Sequence, residues 1–162
     1  MTQERWQLVP ASANDANTAS HWVGSAEEVL VFGGPALPYP LTGAALLATE
    51  RGGWRVMALR GGSGTCVATG SYRQPEAGRL HLGRALVDPA RRGQGLGRVL
   101  VGALVDLAQA LPGTNRVTLN VFQDNLPARA LYSSAGFTVV EHRVVADRPS
   151  VGMELRLQGP GR

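Results

Sequence analysis

The sequence predicts a single α/β domain, of the α+β kind with one mixed sheet, and three observations predict it. The chain has 162 residues, within the roughly 100–200 residues of one domain. Hydrophobic residues make up 44% and charged residues 17%, a balance that supports a packed core rather than disorder. Along the chain, strand-like runs come first, then a strand–helix–strand unit, then one more helix and two more strands. That order places helices against a mixed sheet. Other classes fall away. The 21 glycines follow no three-residue period, and Cys66 is the single cysteine, so neither a collagen nor a disulfide scaffold fits. No apolar run approaches the roughly 20 residues of a membrane span. The opening MTQERWQLVP lacks the apolar centre of a signal peptide. The expectation is a cytoplasmic protein with no membrane segment and no metal site.

Residues 6–9 alternate as a first strand, closed by Pro10. Residues 14–23 suit a short helix. Residues 32–40 carry three prolines in six positions and read as loop. Thr42 is placed to cap a short helix over 44–48. Residues 54–60 and 65–72 are strand-like and are joined by Gly61-Gly62-Ser63-Gly64, a hairpin turn signal. A third strand covers 79–87 and ends at Asp88-Pro89. Leu96, Leu100, Leu104, Leu107 and Leu111 recur at helical spacing, and Pro112-Gly113 stops that helix. Residues 116–122 form a strand. Asn125 caps a helix through Ala135, with Pro127 in its first turn and Gly136 just past its end. Residues 137–145 and 151–157 are the last strands, followed by a frayed tail over 158–162. The whole of 1–162 is expected to be one domain, with no repeat.

The net charge is +4, and all 16 basic residues are arginine, with neither lysine nor isoleucine in the chain. Both missing residues have A/T-rich codons, so a G+C-rich genome accounts for part of the high isoelectric point of about 10.2. A nucleic-acid binder clusters its basic residues on a face or stripe. These are scattered, so an anionic small molecule is the better partner and nucleic acid is not expected.

The stretch Arg91-Arg92-Gly93-Gln94-Gly95-Leu96-Gly97 lies between a strand and the amphipathic helix. Alternating glycines allow positive φ and close approach of a ligand to the backbone. The helix start adds free N–H groups and the positive end of a dipole, which together suit a pyrophosphate. A Walker loop needs lysine, which is absent. A dinucleotide fingerprint needs glycine where Arg98 stands. A plain strand-to-helix turn remains the alternative from this stretch alone.

Arg92-x-x-Gly95-x-Gly97 resembles the acyl-CoA signature of the GNAT acetyltransferase superfamily. Asn125-x-x-Ala128-x-x-Leu131-Tyr132-x-x-x-Gly136-Phe137 resembles that superfamily's later helix. Leu86-Val87-Asp88-Pro89 and Leu119-Asn120-Val121 are similar to the strands between. The resemblance runs from about 79 to 137, while residues 1–50 fall in the region that varies with the acceptor. It implies a mostly antiparallel mixed sheet splayed at an acetyl-CoA site. It also implies an enzyme, an acyltransferase that moves acetyl from acetyl-CoA to a primary amine by direct attack in a ternary complex. Pyrophosphate would meet Arg92, Gly93, Gln94, Gly95, Leu96, Gly97 and Arg98. Pantetheine would pair with Leu86 and Val87. Asn125 is either a further cofactor contact or simply an N-cap.

Tyr132 is the superfamily's candidate acid for the departing thiolate, or else a core tyrosine. Where N-terminal acetyltransferases of the superfamily often carry glutamate, this chain has Asn120, which cannot act as a base. That departure favours a small amine over a protein N-terminus as acceptor. His81 is the base candidate, with a core or surface histidine as its other reading; Glu50, Glu76, Asp124 and an ordered water are further options. Cys66, in an apolar strand, is expected to be inert. Trp22, Phe32 and Tyr39, with the proline-rich loop, either line the acceptor pocket or cover the core. A homodimer is common in the superfamily. A non-catalytic acyl-CoA sensor is the other class of function.

Overall fold

The computed structural model describes residues 5–158; the tail beyond, over 159–162, lies outside the described residues. Seven strands form one sheet: β1 (Gln7–Pro10), β2 (Arg55–Arg60), β3 (Cys66–Glu76), β4 (Arg79–Val87), β5 (Arg116–Phe122), β6 (Thr138–Val145) and β7 (Arg148–Arg156). Five helices accompany them: α1 (Ala13–Ser20), α2 (Ala26–Gly33), α3 (Gly43–Ala48), α4 (Leu96–Ala110) and α5 (Leu126–Ser134). The strand order is β1-β2-β3-β4-β5-β7-β6. Every pairing is antiparallel except β4 with β5. That parallel pair is joined through α4, the crossover a parallel connection requires. No helix among the described residues is long and apolar enough to cross a membrane.

Helix α4 supplies the core. Leu96, Leu100, Val101, Leu104 and Ala108 face the sheet and meet Leu80, Leu82, Val117, Leu119 and Met153. The predicted leucine stripe leaves the core face at its three-residue step from Leu104 to Leu107, where the buried row continues by four to Ala108. Ala108 takes the last core place, while Leu107 and Leu111 are only partly buried. Gly70 on β3 lets the helix lie close: a Cβ there would stand 3.0 Å from Leu104. Each fully buried leucine contributes about 1.5–3 kcal/mol through the water it leaves.

The N-terminal third departs most from expectation. The α1 cap is Ser12, paired with Asp15 in a reciprocal capping box, and the helix ends at Ser20 rather than Val23. Helix α2 occupies 26–33, where no element was expected and where the loop was expected to begin. Its signal was present: Ser25 accepts from the Glu28 N–H, ahead of the apolar run Val29-Leu30-Val31-Phe32. Thr42 caps α3 as expected. Strand β3 runs on through Pro75, which is tolerated because β2 has already ended opposite Tyr72.

Candidate active site

The site is made by strands that part. β4 and β5 pair from Arg79↔Arg116 only as far as Leu82↔Leu119. Beyond that point β4 stays with β3, through Thr69↔Leu86 and Ala68↔Val87, while β5 stays with β7 through Phe122↔Ser150. Residues 83–87 therefore have no strand on the β5 side. The divergence begins at a bulge, where β4 carries one more residue than β3 between the Gly83 and Leu86 pairings. Arg84 takes the extra place with φ +53°, a left-handed conformation that costs an L-residue roughly 1–2 kcal/mol. Strain of this kind gathers at functional sites.

The gap opens into a cleft of about 660 Å³. Its floor is the β4 edge with Leu86 and Val87, and its end is the glycine turn. A 3-10 turn over Pro89–Arg91, capped by Asp88, leads into that turn. Gly93 and Gly95 have φ of +81° and +80°, and a Cβ at either would meet nothing within 4 Å. Gly95 is the N-cap of α4, so the first-turn N–H groups of α4 lack intrahelical acceptors. Gly97 serves packing instead: a Cβ there would stand 3.1 Å from Leu131 of α5. Arg91 is held by Asp88 at 3.5 Å. Arg92 and Arg98 have no carboxylate partner among the described residues and line the cleft.

Leu86, Val87, Arg92, Gly93, Gly95, Leu96, Gly97, Arg98, Asn125 and Tyr132 thus share one cleft. Gln94 does not line it; its side chain is exposed. Asn125 caps α5 with a long bond from the Ala128 N–H, 3.4 Å. Tyr132 packs edge-on against Phe137 at 6.0 Å, and burial pushes its hydroxyl above the usual tyrosine pKa. The phenol is therefore a proton donor at neutral pH.

His81 lies in a second, adjoining pocket of about 240 Å³ that shares Leu82, Gly83, Arg84, Asn120 and Val121 with the cleft. Its Nδ1 bonds the Thr118 hydroxyl at 2.8 Å. Burial, and then Arg73, Arg79 and Arg143, lower its pKa to about 4. That value makes it a neutral ring at pH 7 and a weak base. Trp54, Arg73 and Arg84 also face this pocket, and the sequence reading missed all three. Their signal was slight: an aromatic at the mouth of a strand and arginines on strands, with nothing in the spacing to join them.

Of the three aromatics proposed for the acceptor side, only Phe32 lines the pocket. Trp22 packs in the core with Phe32, and the Tyr39 hydroxyl donates to the Gly24 carbonyl at 3.0 Å. Gly33, Gly34 and Pro35 bring the start of the proline-rich loop to the pocket wall, while Leu37 and Leu41 turn into the core. Cys66 is buried, donates to the Ala68 carbonyl, and burial pushes its thiol up to about 11; it is no nucleophile.

A splayed sheet beside a glycine-bounded helix start defines an acyl-CoA-type transferase scaffold, and comparison with known proteins agrees. The acetyltransferase (GNAT) family profile matches residues 24–137. The chain belongs to that family. A mycothiol acetyltransferase of Beutenbergia cavernae is 39% identical over 79 residues, 49% of this chain. The match spans 26% of that relative's own length. Among solved structures, an aminoglycoside acetyltransferase bound to coenzyme A superposes with TM-score 0.76 at 19% identity, covering 94% of this chain and 95% of that one. The Vibrio cholerae spermidine N-acetyltransferase in complex with CoA and spermine gives 0.75 at 14% identity, covering 93% and 95%. At these identities the likeness is one of fold.

Proposed function

We propose that this protein is an acetyl-CoA-dependent N-acetyltransferase acting on a small primary amine. The parting of β4 and β5 beyond Leu82 and Leu119 carries the reading. The free edge at Leu86 and Val87 offers main-chain donors and acceptors suited to pantetheine amides. The turn at Gly93, Gly95 and the α4 start, with Arg92 and Arg98, suits a pyrophosphate. Gln94 contributes through its backbone only, and the Asn125 amide has free donors toward the cleft. The second pocket, at about 240 Å³, falls below the usual 300–1,000 Å³ of drug-sized sites, which supports a small acceptor.

When bound, the co-substrate supplies an electrophilic thioester carbon. The amine nitrogen attacks that carbon, a C–N bond forms and the C–S bond breaks. The amine loses one proton and the departing thiolate gains one, giving an amide and free coenzyme A. A lysine-like amine of pKa 10.4 is about 1 part in 2,500 free base at pH 7, a cost of roughly 4.6 kcal/mol. His81, with a pKa of about 4, is a poor acceptor for that proton. Arg73 and Arg84 do part of the work another way: cations beside the amine disfavour its charged form. Water then takes the proton. Tyr132 donates to the sulfur as charge builds there. Its raised pKa makes complete transfer to a thiolate of reference pKa 8.5 uphill by more than about 2 kcal/mol, so a hydrogen bond is the better description of its role. A main-chain N–H near Leu86 or Val87 serves the developing oxyanion.

The test is acetyl-CoA binding by calorimetry together with thiol release across amines and short peptides. Micromolar binding and turnover of small amines are expected. Absence of acetyl-CoA binding refutes the reading, and turnover confined to peptides refutes the acceptor class.

A further inference from the structure

The second pocket has an unusual charge. Arg73, His81 and Arg84 are its titratable lining residues, and no aspartate or glutamate lines it among the described residues. Both guanidiniums stand over the Trp54 indole, Arg84 at 4.4 Å and Arg73 at 4.8 Å from the ring centre. Gly83 makes room for that indole, since a Cβ there would stand 2.9 Å from it. The Nε and Nη1 atoms of Arg84 are buried and meet no hydrogen-bond acceptor among the described residues. A buried guanidinium with unmet donors is costly, and a second arginine beside it adds repulsion. A carboxylate in the pocket offsets the repulsion between the two guanidiniums and adds an opposite charge beside the buried one.

The carboxylates of the adjoining cleft, and Glu141, are engaged elsewhere. Glu27 and Glu28 line the larger cleft from α2; Glu27 is paired with Arg148 at 2.6 Å and Glu28 accepts from the Gly24 N–H at 2.7 Å. Glu141, on β6, is paired with Arg143 at 2.7 Å.

Resting on the acetyltransferase reading above, we propose that the acceptor is a small amino acid-like molecule, a primary amine whose carboxylate is held by Arg84 and Arg73. Arg84 meets the carboxylate through Nη2, which is not among its buried nitrogens, and the exposed Arg73 adds a second charge-assisted bond. Arg84 borders both cavities, so a carboxylate on it keeps the amine of a compact molecule at the junction with the cleft. Two guanidiniums against one carboxylate leave the amine in a residual positive field, which favours its neutral, reactive form. The pocket is unsuited to a polycation, which would meet two arginines and no acid.

Matched sets test this. Amino acids and ω-amino acids are compared with their carboxamides and with the amines lacking the acid group; spermidine, an aminoglycoside and a peptide amide complete the panel. Each is assayed for thiol release and, in protein saturated with coenzyme A, for binding by calorimetry. The carboxylates are expected to exceed their amides by about tenfold or more in kcat/KM and in affinity, the scale of a charge-assisted pair. Arg73→Gln, at an exposed strand position that tolerates change, and Arg84→Gln are each expected to erase that preference. Acetyl-CoA affinity of Arg73→Gln, measured separately, checks that the variant is folded. Equal treatment of acid and amide, preference for spermidine, the aminoglycoside or the peptide amide, or no binding of any carboxylate overturns the inference while leaving the acetyltransferase reading standing. Loss of acetyl-CoA binding in the unaltered protein sinks both.

Discussion

Gly95→Ala separates the cost of backbone strain from the loss of a ligand cradle. Gly95 has φ +80° and ψ +11° as the N-cap of α4. An L-residue held there costs roughly 1–2 kcal/mol. No steric clash adds to that, because the new Cβ would meet nothing within 4 Å. The variant therefore folds, with a melting temperature lower by about 2–8 °C for a chain of this size. On the proposed placement of the pyrophosphate, binding suffers separately, since the added methyl group crowds a backbone turn that the phosphates are to approach closely. Acetyl-CoA affinity is expected to fall at least about tenfold, or about 1.4 kcal/mol. Gly64→Ala is the control. Gly64 has φ +84° and equally open surroundings, but it sits in the β2–β3 hairpin, away from the cleft. Scanning fluorimetry and calorimetry on both variants decide the matter. Equal loss of stability with loss of affinity only in Gly95→Ala is the expected pattern. Gly95→Ala that loses stability yet binds acetyl-CoA as the unaltered protein does would remove the glycine turn from the phosphate site.

Tyr132→Phe is expected to lower kcat by about 10² while acetyl-CoA affinity stays within about threefold; unchanged kcat in steady-state assays would take the hydroxyl out of the reaction. His81, with a folded pKa of about 4 against an ordinary 6.5, leaves the unfolded chain holding more protons between those values. Its contribution to stability is whole above pH 6.5 and is lost as pH falls toward 4, by about 3 kcal/mol in all. Urea denaturation of His81→Gln at pH 7 and pH 4.5 should show a shallower acid loss than the parent, and parallel curves would refute the buried neutral ring. The same ring predicts a kcat profile with no inflection between pH 6 and 7. Gly102→Ala, exposed within α4 with open space around its Cβ, should stabilise the protein by about 1 kcal/mol, read as a small rise in melting temperature.

The sheet strands and α4 were legible because each carries its own period or its own stop. Asn125, Pro127 and Gly136 bracket α5 for the same reason, since capping is a local matter of a few hydrogen bonds. The shared cleft of the glycine turn, Asn125 and Tyr132 was legible only through motif resemblance. Helix α2 was missed although Ser25 and Glu28 announced it, because the glycines and prolines after it drew the whole region into a loop. Gln94 was counted with its neighbours because a motif is contiguous, whereas its side chain is exposed and does not line the cleft that its neighbours line.

By itself the sequence determined where the chain turns, which helix carries the core stripe and where a glycine turn opens that helix, since these depend on residues a few positions apart. Tertiary structure decided the rest. β4 parts from β5 beyond Leu82 and Leu119, next to a one-residue bulge of β4 against β3 at Arg84. The second pocket gathers Trp54 from just before β2, Arg73 from β3 and His81 with Arg84 from β4. The His81 pKa is set by burial and by three arginines on two other strands and its own. These properties arise from which strands lie side by side, and pairing across a sheet leaves no period in the sequence by which to read it.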